Sequence, residues 1–296
     1  MAGKLREIRK RIRSVQSTQK ITKSFELIAA SRIVRAERRV REARPFSDRL
    51  AQVIRDLAAT AGQVDHPILQ RANREKTERP AALIVVAADR GLAGAYNANV
   101  LRLFERTRRE MGDVVTYAVG KKALAAFRFR KIPMEAEWSG FSDAPTFDRA
   151  REIGERIVAD FAEGKIGSVR VVYTEFVSLM TQRATIVDLL PVATEELEGG
   201  HELSATFEFE PSPEGILDEL LPMYVEVRIL QALLEAAASE HAARRRAMSS
   251  ATENAEELIK NLTRVANQAR QSEITSEIAD IVGGSEALRK MMTSTG

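Results

Sequence analysis

Between Pro222 and Gly283 the chain has neither glycine nor proline, and this sets the strongest limit on what it can fold into. A helix of about 60 residues spans roughly 90 Å at 1.5 Å per residue, too long to be buried in one compact domain. Such a helix needs a partner along its length. The sequence offers a seam for one: Leu220, Tyr224, Val227, Gln231, Leu234 and Ala238 share a heptad frame. The frame continues through His241, Arg245, Met248, Thr252, Ala255, Ile259, Leu262, Ala266 and Ala269. Alternating steps of three and four are those of coiled-coil packing.

The N-terminal segment carries the matching pattern. Leu5, Ile8, Ile12 and Val15 fall in 3-4-3 spacing, and the same frame later meets Ala29, Ile33, Ala36, Val40 and Ala43. In between it meets Gln19, Thr22 and Glu26, while the apolar Ile21, Phe25 and Ile28 sit one position off. This reads as a stutter, which changes local coiled-coil winding. Pro45 predicts a kink or break, after which Phe46, Leu50, Val53, Ile54 and Leu57 resume a helical stripe.

The middle of the chain changes period. Short apolar runs at 82–88, 114–119, 169–176 and 184–190 read as strands, and 98–110, 123–130 and 149–162 have helical spacing. Strands alternating with helices predict a small α/β domain with a largely parallel sheet. Its insertion between the two long helices requires them to return antiparallel. The expected organisation is therefore α/β: an N-terminal coiled-coil helix (1–62), an inserted Rossmann-like domain (63–212) and a C-terminal coiled-coil helix (213–296).

Composition removes several classes of function. There is no cysteine, which excludes disulfides, thiolate metal sites and thiol nucleophiles. His66, His201 and His241 lack metal-ligand spacing, so no metal or cofactor is expected. The longest apolar run, Ala81 to Ala88, is far short of the roughly 20 residues that cross a bilayer. The Arg-rich N-terminus is interrupted by Glu7, Glu26, Glu37 and Glu42 and has no cleavage-like break, so a mature cytoplasmic protein is expected. Residues 1–44 hold fourteen Lys or Arg against four Glu, while the net charge of the whole chain is only +3. A basic segment of this kind suits an anionic partner or a solvated helix face.

The loop Asp89-Arg-Gly-Leu-Ala-Gly-Ala-Tyr-Asn97 follows a strand and precedes a helix, where phosphate cradles often lie. It matches neither the dinucleotide glycine pattern nor a Walker loop, and Gly120-Lys121-Lys122 lacks the upstream glycine and the hydroxyl. Tight structural turns account for both. No Ser/His/Asp constellation and no His-Glu-x-x-His helix is present, so no catalytic residue is assigned. A non-enzymatic coiled-coil adaptor with a nucleic-acid-binding basic arm is the alternative reading, although aromatic platforms are missing.

Several blocks resemble the gamma subunits of F-type, bacterial-type ATP synthases. They are Ser17-Thr-Gln-Lys-Ile-Thr-Lys23, Glu26-Leu-Ile-Ala-Ala-Ser31 and Ala43-Arg-Pro45, then Asp89-Arg-Gly-Leu-Ala-Gly94 with Asn97. In the last segment they are Tyr224-Val-Glu226, Ala238-Ser-Glu240, Ala242-Ala-Arg244, Ala247-Met248, Ala251-Thr252, Asn254, Ala269-Arg-Gln-Ser272 and Ile274-Thr-Ser-Glu277. Ala93 stands where many members have Cys, and Gly283-Gly284 and the tail beyond depart from the family pattern. The resemblance implies a rotating shaft in the central hole of a ring of three alpha and three beta subunits. Its lower end would rest on the membrane rotor ring and bind the epsilon subunit, at the cytoplasmic face of the bacterial cell membrane, without entering the bilayer or binding nucleic acid. Carried over by position, the subunit-interface residues are Lys20, Lys23, Arg244, Arg270, Gln271 and Thr275.

Overall fold

Two long helices enclose an α/β segment, in the order α1 (Ala2–Thr60), β1 (Leu69–Gln70), β2 (Ala81–Val86), α2 (Tyr96–Met111), β3 (Val114–Val119) and α3 (Lys121–Arg130). There follow β4 (Ala136–Trp138), α4 (Phe147–Ala162), β5 (Ser168–Phe176), β6 (Gln182–Leu190), β7 (Val192–Ala193) and α5 (Pro213–Ser294). The computed structural model describes residues 2–60, 68–70, 79–193 and 213–294. His66, His201 and the expected 62/63 boundary lie outside the described residues, and the expected 212/213 boundary lies at their edge. By contacts the chain forms two units, Met1–Leu27 with Ala247–Gly296, and Ile28–Arg246.

In the first unit the N-terminal part of α1 and the C-terminal part of α5 run antiparallel. Thr22 and Thr252 touch, with hydroxyl oxygens 2.8 Å apart, while Leu5, Arg6, Arg9, Ile12 and Arg13 share a groove with Glu273. Ile8, Thr22, Met248, Ala255 and Ala266 are buried in this pairing. Alanine at the seam lets the backbones approach closely. Threonine there satisfies its hydroxyl locally, Thr22 Oγ1 donating to Gln19 O at 3.0 Å and Thr252 Oγ1 to Met248 O at 2.8 Å.

Burial along α1 corrects two expectations. The expected stutter is absent: Gln19, Thr22 and Glu26 hold the inward positions, while Ile21 and Phe25 are 54% and 38% exposed and Ile28 is 49% exposed. A single 3-4 frame runs unbroken. The helix does not break at Pro45 either, and the frame continues through the buried Ser47, Leu50, Ile54 and Leu57. Phe46 and Val53, expected on the stripe, are exposed. Packing of the buried face outweighs one lost backbone hydrogen bond. Likewise α5 continues through Pro222 and through Gly283-Gly284.

In the second unit a five-stranded sheet has the order β4-β3-β2-β5-β6. β2 pairs parallel with β3 (Ala81↔Val114) and with β5 (Ala81↔Ser168), and β3 pairs parallel with β4. β6 closes the sheet antiparallel to β5 (Val171↔Val187). Alternation along β2 divides the core. Ala82, Ile84 and Val86 join Ile54 and Leu57 of α1, Ile153 and Ile157 of α4, and Leu217, Leu221 and Val225 of α5. Leu83 and Val85 face the other way, into Val100 and Phe104 of α2 and Leu124 and Phe127 of α3. The strand is apolar on both faces because both are covered, as in parallel sheets generally. At Gly154 the packing of α4 is close enough that a Cβ would lie 2.8 Å from Glu226 Cγ on α5.

Candidate functional site

An open parallel sheet binds ligands outside the carboxyl ends of its strands, where the connections reverse direction. Here that point lies beyond β2, since β3 and β4 are laid on one side of it and β5 on the other. The loop 89–95 sits at this crevice. Its leading residue, Asp89, accepts hydrogen bonds from the backbone N–H groups of Lys121 (3.0 Å), Gly140 (2.8 Å) and Ser142 (2.9 Å). One carboxylate thus ties together the segments that follow β2, β3 and β4. The Lys121 N–H at the start of α3 is the kind of donor a bound phosphate uses, and here the protein's own anion occupies it. Burial opposes ionisation of Asp89, but the N–H donors outweigh it and hold the carboxyl below its ordinary range. Asn97 closes the loop by accepting from Ala88 N–H at 2.9 Å.

Helix α5 fills the rest of the crevice. Tyr96 Oη donates to Ala236 O (3.2 Å), and Ser239 Oγ donates to Thr174 O at the end of β5 (3.1 Å). Arg244 donates from Nε and Nη2 to Gly91 O (3.3 and 3.2 Å) and from Nη2 to Glu240 Oε1 (2.6 Å). Ser142 Oγ donates to Glu240 Oε2 at 3.1 Å, which joins this cluster to the Asp89 loop. Burial raises the Glu240 carboxyl above its ordinary range despite Arg244 beside it. A second polar chain locks α1 and β5 to the same helix: Ser47 Oγ donates to Gln231 Oε1, Gln231 Nε2 to Glu235 Oε1, and Tyr173 Oη to Glu235 Oε2. These polar groups join the segments after β2, β3 and β4 to one another and fix α5 to the sheet.

His241 is buried, with Nε2 3.2 Å from Asp143 O. Burial is the main cause that pushes its pKa down, to about 4, with Arg244 and Arg32 adding to it and the Asp143 carbonyl opposing. Arg32 on α1 pairs with the Asp143 carboxylate at 2.5 Å. Among the described residues no cluster of His, Cys, Asp or Glu suits a metal ion, and no helix is long and apolar enough to cross a membrane.

Of the residues carried over as interface positions, Lys20, Lys23, Arg270, Gln271 and Thr275 are exposed. Lys23 pairs with Glu26 at 3.0 Å, and Thr275 Oγ1 donates back to Gln271 O at 2.9 Å. Arg270 and Gln271 flank the inward Ala269 but point to solvent. Arg244 has a different setting. It is buried, and its hydrogen bonds go to Gly91 and Glu240 of the same unit. The sequence reading missed Asp89 and Glu240 as anchors. An acid at a strand's carboxyl end, directly before Arg-Gly, was the available signal for the first.

A family model described as ATP synthase matches residues 4–288. Relatives named ATP synthase gamma chain include one from Kineococcus radiotolerans, 49% identical over 97% of this chain and 98% of its own length. Another, from Acidothermus cellulolyticus, is 48% identical with the same coverage. Among solved structures, a chain of the Euglena gracilis mitochondrial ATP synthase (OSCP/F1/c-ring, rotational state 3) is similar in fold. Its TM-score is 0.67 at 17% identity, covering 97% of this chain and 95% of that one. These likenesses give the nucleic-acid adaptor reading no support, and by them the chain belongs to the ATP synthase gamma chain family.

Proposed function

We propose that this chain is the rotating central shaft of a bacterial ATP synthase, transmitting torque between a membrane rotor ring and a catalytic ring of alpha and beta subunits. It does no chemistry itself. The observation that carries this reading is the filled crevice. The crevice outside the carboxyl ends of the strands, where open α/β sheets hold nucleotides, is occupied by Asp89 and by α5, so there the sheet clamps the helix. A clamp of that kind is what a shaft needs where torque enters it.

The outward face of the paired helices supports the same reading. Ile21, Phe25, Leu258, Val265 and Ile274 are exposed, and so are the basic Arg6, Arg9, Arg13 and Lys20. Exposed apolar side chains on both helices suit a surface that other subunits cover. Charge attraction to acidic segments of beta, screened beyond about 8 Å in physiological salt, follows a turning surface without locking to it. Lys20, Lys23, Arg270, Gln271 and Thr275 are the proposed contacts to the catalytic ring, with Arg244 as an internal brace. The lower contacts are to epsilon and the membrane ring, on the cytoplasmic face of the membrane.

Co-expression with alpha and beta subunits tests this. The expected result is a stable assembly with one copy of this chain, ATP hydrolysis by the assembly, and neither hydrolysis nor tight ATP binding by the chain alone. Micromolar ATP binding by the isolated chain that is lost on changing Gly91 or Gly94 contradicts it.

A further inference from the structure

A cavity of about 240 Å³ opens between α1, the loop after β4 and α5, inside the Ile28–Arg246 unit. Arg32, Arg35, Arg39, Asp143 and His241 supply its polar lining, and Ala36, Leu234 and Ala237 its apolar part. Three guanidinium groups face one carboxylate, which leaves an excess of two positive charges around a neutral histidine. Asp143 is committed to Arg32. Neighbouring arginines on the same helix are paired, Arg38 with Glu42 (3.1 Å) and Arg41 with Glu37 (2.9 Å). Among the described residues Arg35 and Arg39 have no such carboxylate.

The walls are already set. Ser142, next to Asp143, is held by the Asp89 carboxylate, and Ala144 N–H donates to Phe141 O at 3.1 Å. His241 lies in this wall almost fully buried, and its Nδ1 has no hydrogen-bond partner. Nε2 donates its proton to the Asp143 carbonyl in the neutral ring, which fixes the ring as part of the wall. A phosphate group fits the unbalanced charge. It bears about −1.5 to −2 charges near neutral pH, and it is gripped by guanidinium forks.

We propose that this cavity binds the phosphate group of a small anionic ligand. Arg35 and Arg39 grip the oxygens, Arg32 is held in place by Asp143, and the buried His241 ring forms part of the wall behind them. The proposal is independent of the shaft reading. Free phosphate and a phospholipid headgroup share this chemistry.

Calorimetric titration of inorganic phosphate into the full chain, at constant ionic strength, tests it. The expected result is saturable one-site binding with Kd below about 1 mM, weakened at least about tenfold by Arg35→Gln with Arg39→Gln, the loss expected from removing charge-assisted hydrogen bonds. Both positions are exposed on α1, and circular dichroism checks that helix content is retained. Arg38→Gln with Arg41→Gln should leave Kd within about twofold, because exposed paired charges contribute little. In the unaltered chain the His241 ring resonances should shift as phosphate saturates. A soluble short-chain phosphatidate that binds at least about tenfold tighter than phosphate assigns the site to a lipid headgroup, and equal or weaker binding assigns it to free phosphate. Absence of saturable binding, equal weakening in both double variants, or unmoved His241 resonances overturns the proposal.

Discussion

Arg244 of α5 reaches back to Gly91 in the loop after β2, with two guanidinium nitrogens 3.2 and 3.3 Å from its carbonyl oxygen. These residues are far apart in sequence, and their contact joins the long helix to the mouth of the sheet. The same guanidinium neutralises Glu240, which is buried. Removing it leaves the buried Glu240 with only the Ser142 hydroxyl and takes two donors from the Gly91 carbonyl. Arg244→Ala should therefore lower unfolding stability by about 3 kcal/mol, in the range for breaking a buried ion pair from one side. Adding Glu240→Gln should recover part of the loss. Urea unfolding measures both, and a change below about 0.5 kcal/mol, the scale of an ordinary surface substitution, would mean that the brace is dispensable.

His241 gives the fold a pH dependence of known sign. Its pKa falls from 6.5 to about 4 on folding, so the unfolded chain binds the extra proton. Its contribution is fully present above pH 6.5 and is lost as pH falls toward 4, amounting to about 3 kcal/mol if the whole shift is realised. Glu240 and Glu235, whose pKa values are raised by burial, contribute with the opposite sign. Comparing the chain with His241→Gln isolates the histidine. The stability difference between the two should shrink as pH drops through that window, and a constant difference contradicts the assignment.

Much of this was legible in the sequence, for reasons of period. The runs at 82–88, 114–119, 169–176 and 184–190 became strands β2, β3, β5 and β6 within two residues at each end. Apolar alternation and continuous burial leave that mark. Strand β4 was missed because Ala136–Trp138 is only three residues long and borrows its pairing from β3. The false stutter has a different cause. Ile21, Phe25 and Ile28 look like core residues, yet Gln19, Thr22 and Glu26 take the seam. Composition reports which residues are apolar, and only the partner helix decides which way they face. Asp89 and Arg244 were legible as motif members but not as anchors, since their partners lie in distant segments.

Gly120 tests the loop geometry. Its φ is +93°, and a Cβ there would lie 2.0 Å from Ala87 O. Gly120→Ala should cost more than about 2 kcal/mol, because left-handed strain adds to a backbone clash. Equilibrium unfolding checks this, and a neutral result would contradict the close approach of the segments after β2 and β3.

The Thr22–Thr252 contact tests the seam. Replacing both by valine keeps the shape and removes two hydroxyls, so stability should be unchanged or rise by up to about 1 kcal/mol. Thr22→Asp alone should weaken the pair, as it buries a carboxylate at a position now 8% exposed. Thermal unfolding followed by circular dichroism distinguishes the two. Equal losses in both would mean that the hydroxyls hold the helices together.

Arg270 and Gln271 test the proposed contact to the catalytic ring. Both point to solvent beside Ala269, so Arg270→Ala with Gln271→Ala should fold and assemble normally. A charge-assisted hydrogen bond contributes about 1.5–3 kcal/mol, and one made in only some angular states should slow hydrolysis roughly tenfold and loosen its coupling. Unchanged turnover in an intact assembly would show that the shaft acts by steric shape alone.

The central claim is rotation, and its most direct measurement is single-molecule observation of a bead fixed to the α/β unit of this chain, within immobilised alpha and beta subunits supplied with ATP. The account predicts one-directional stepwise turning that stops when this chain is cross-linked to a beta subunit, with hydrolysis stopping alongside. Full hydrolysis continuing with the chain cross-linked in place would contradict it.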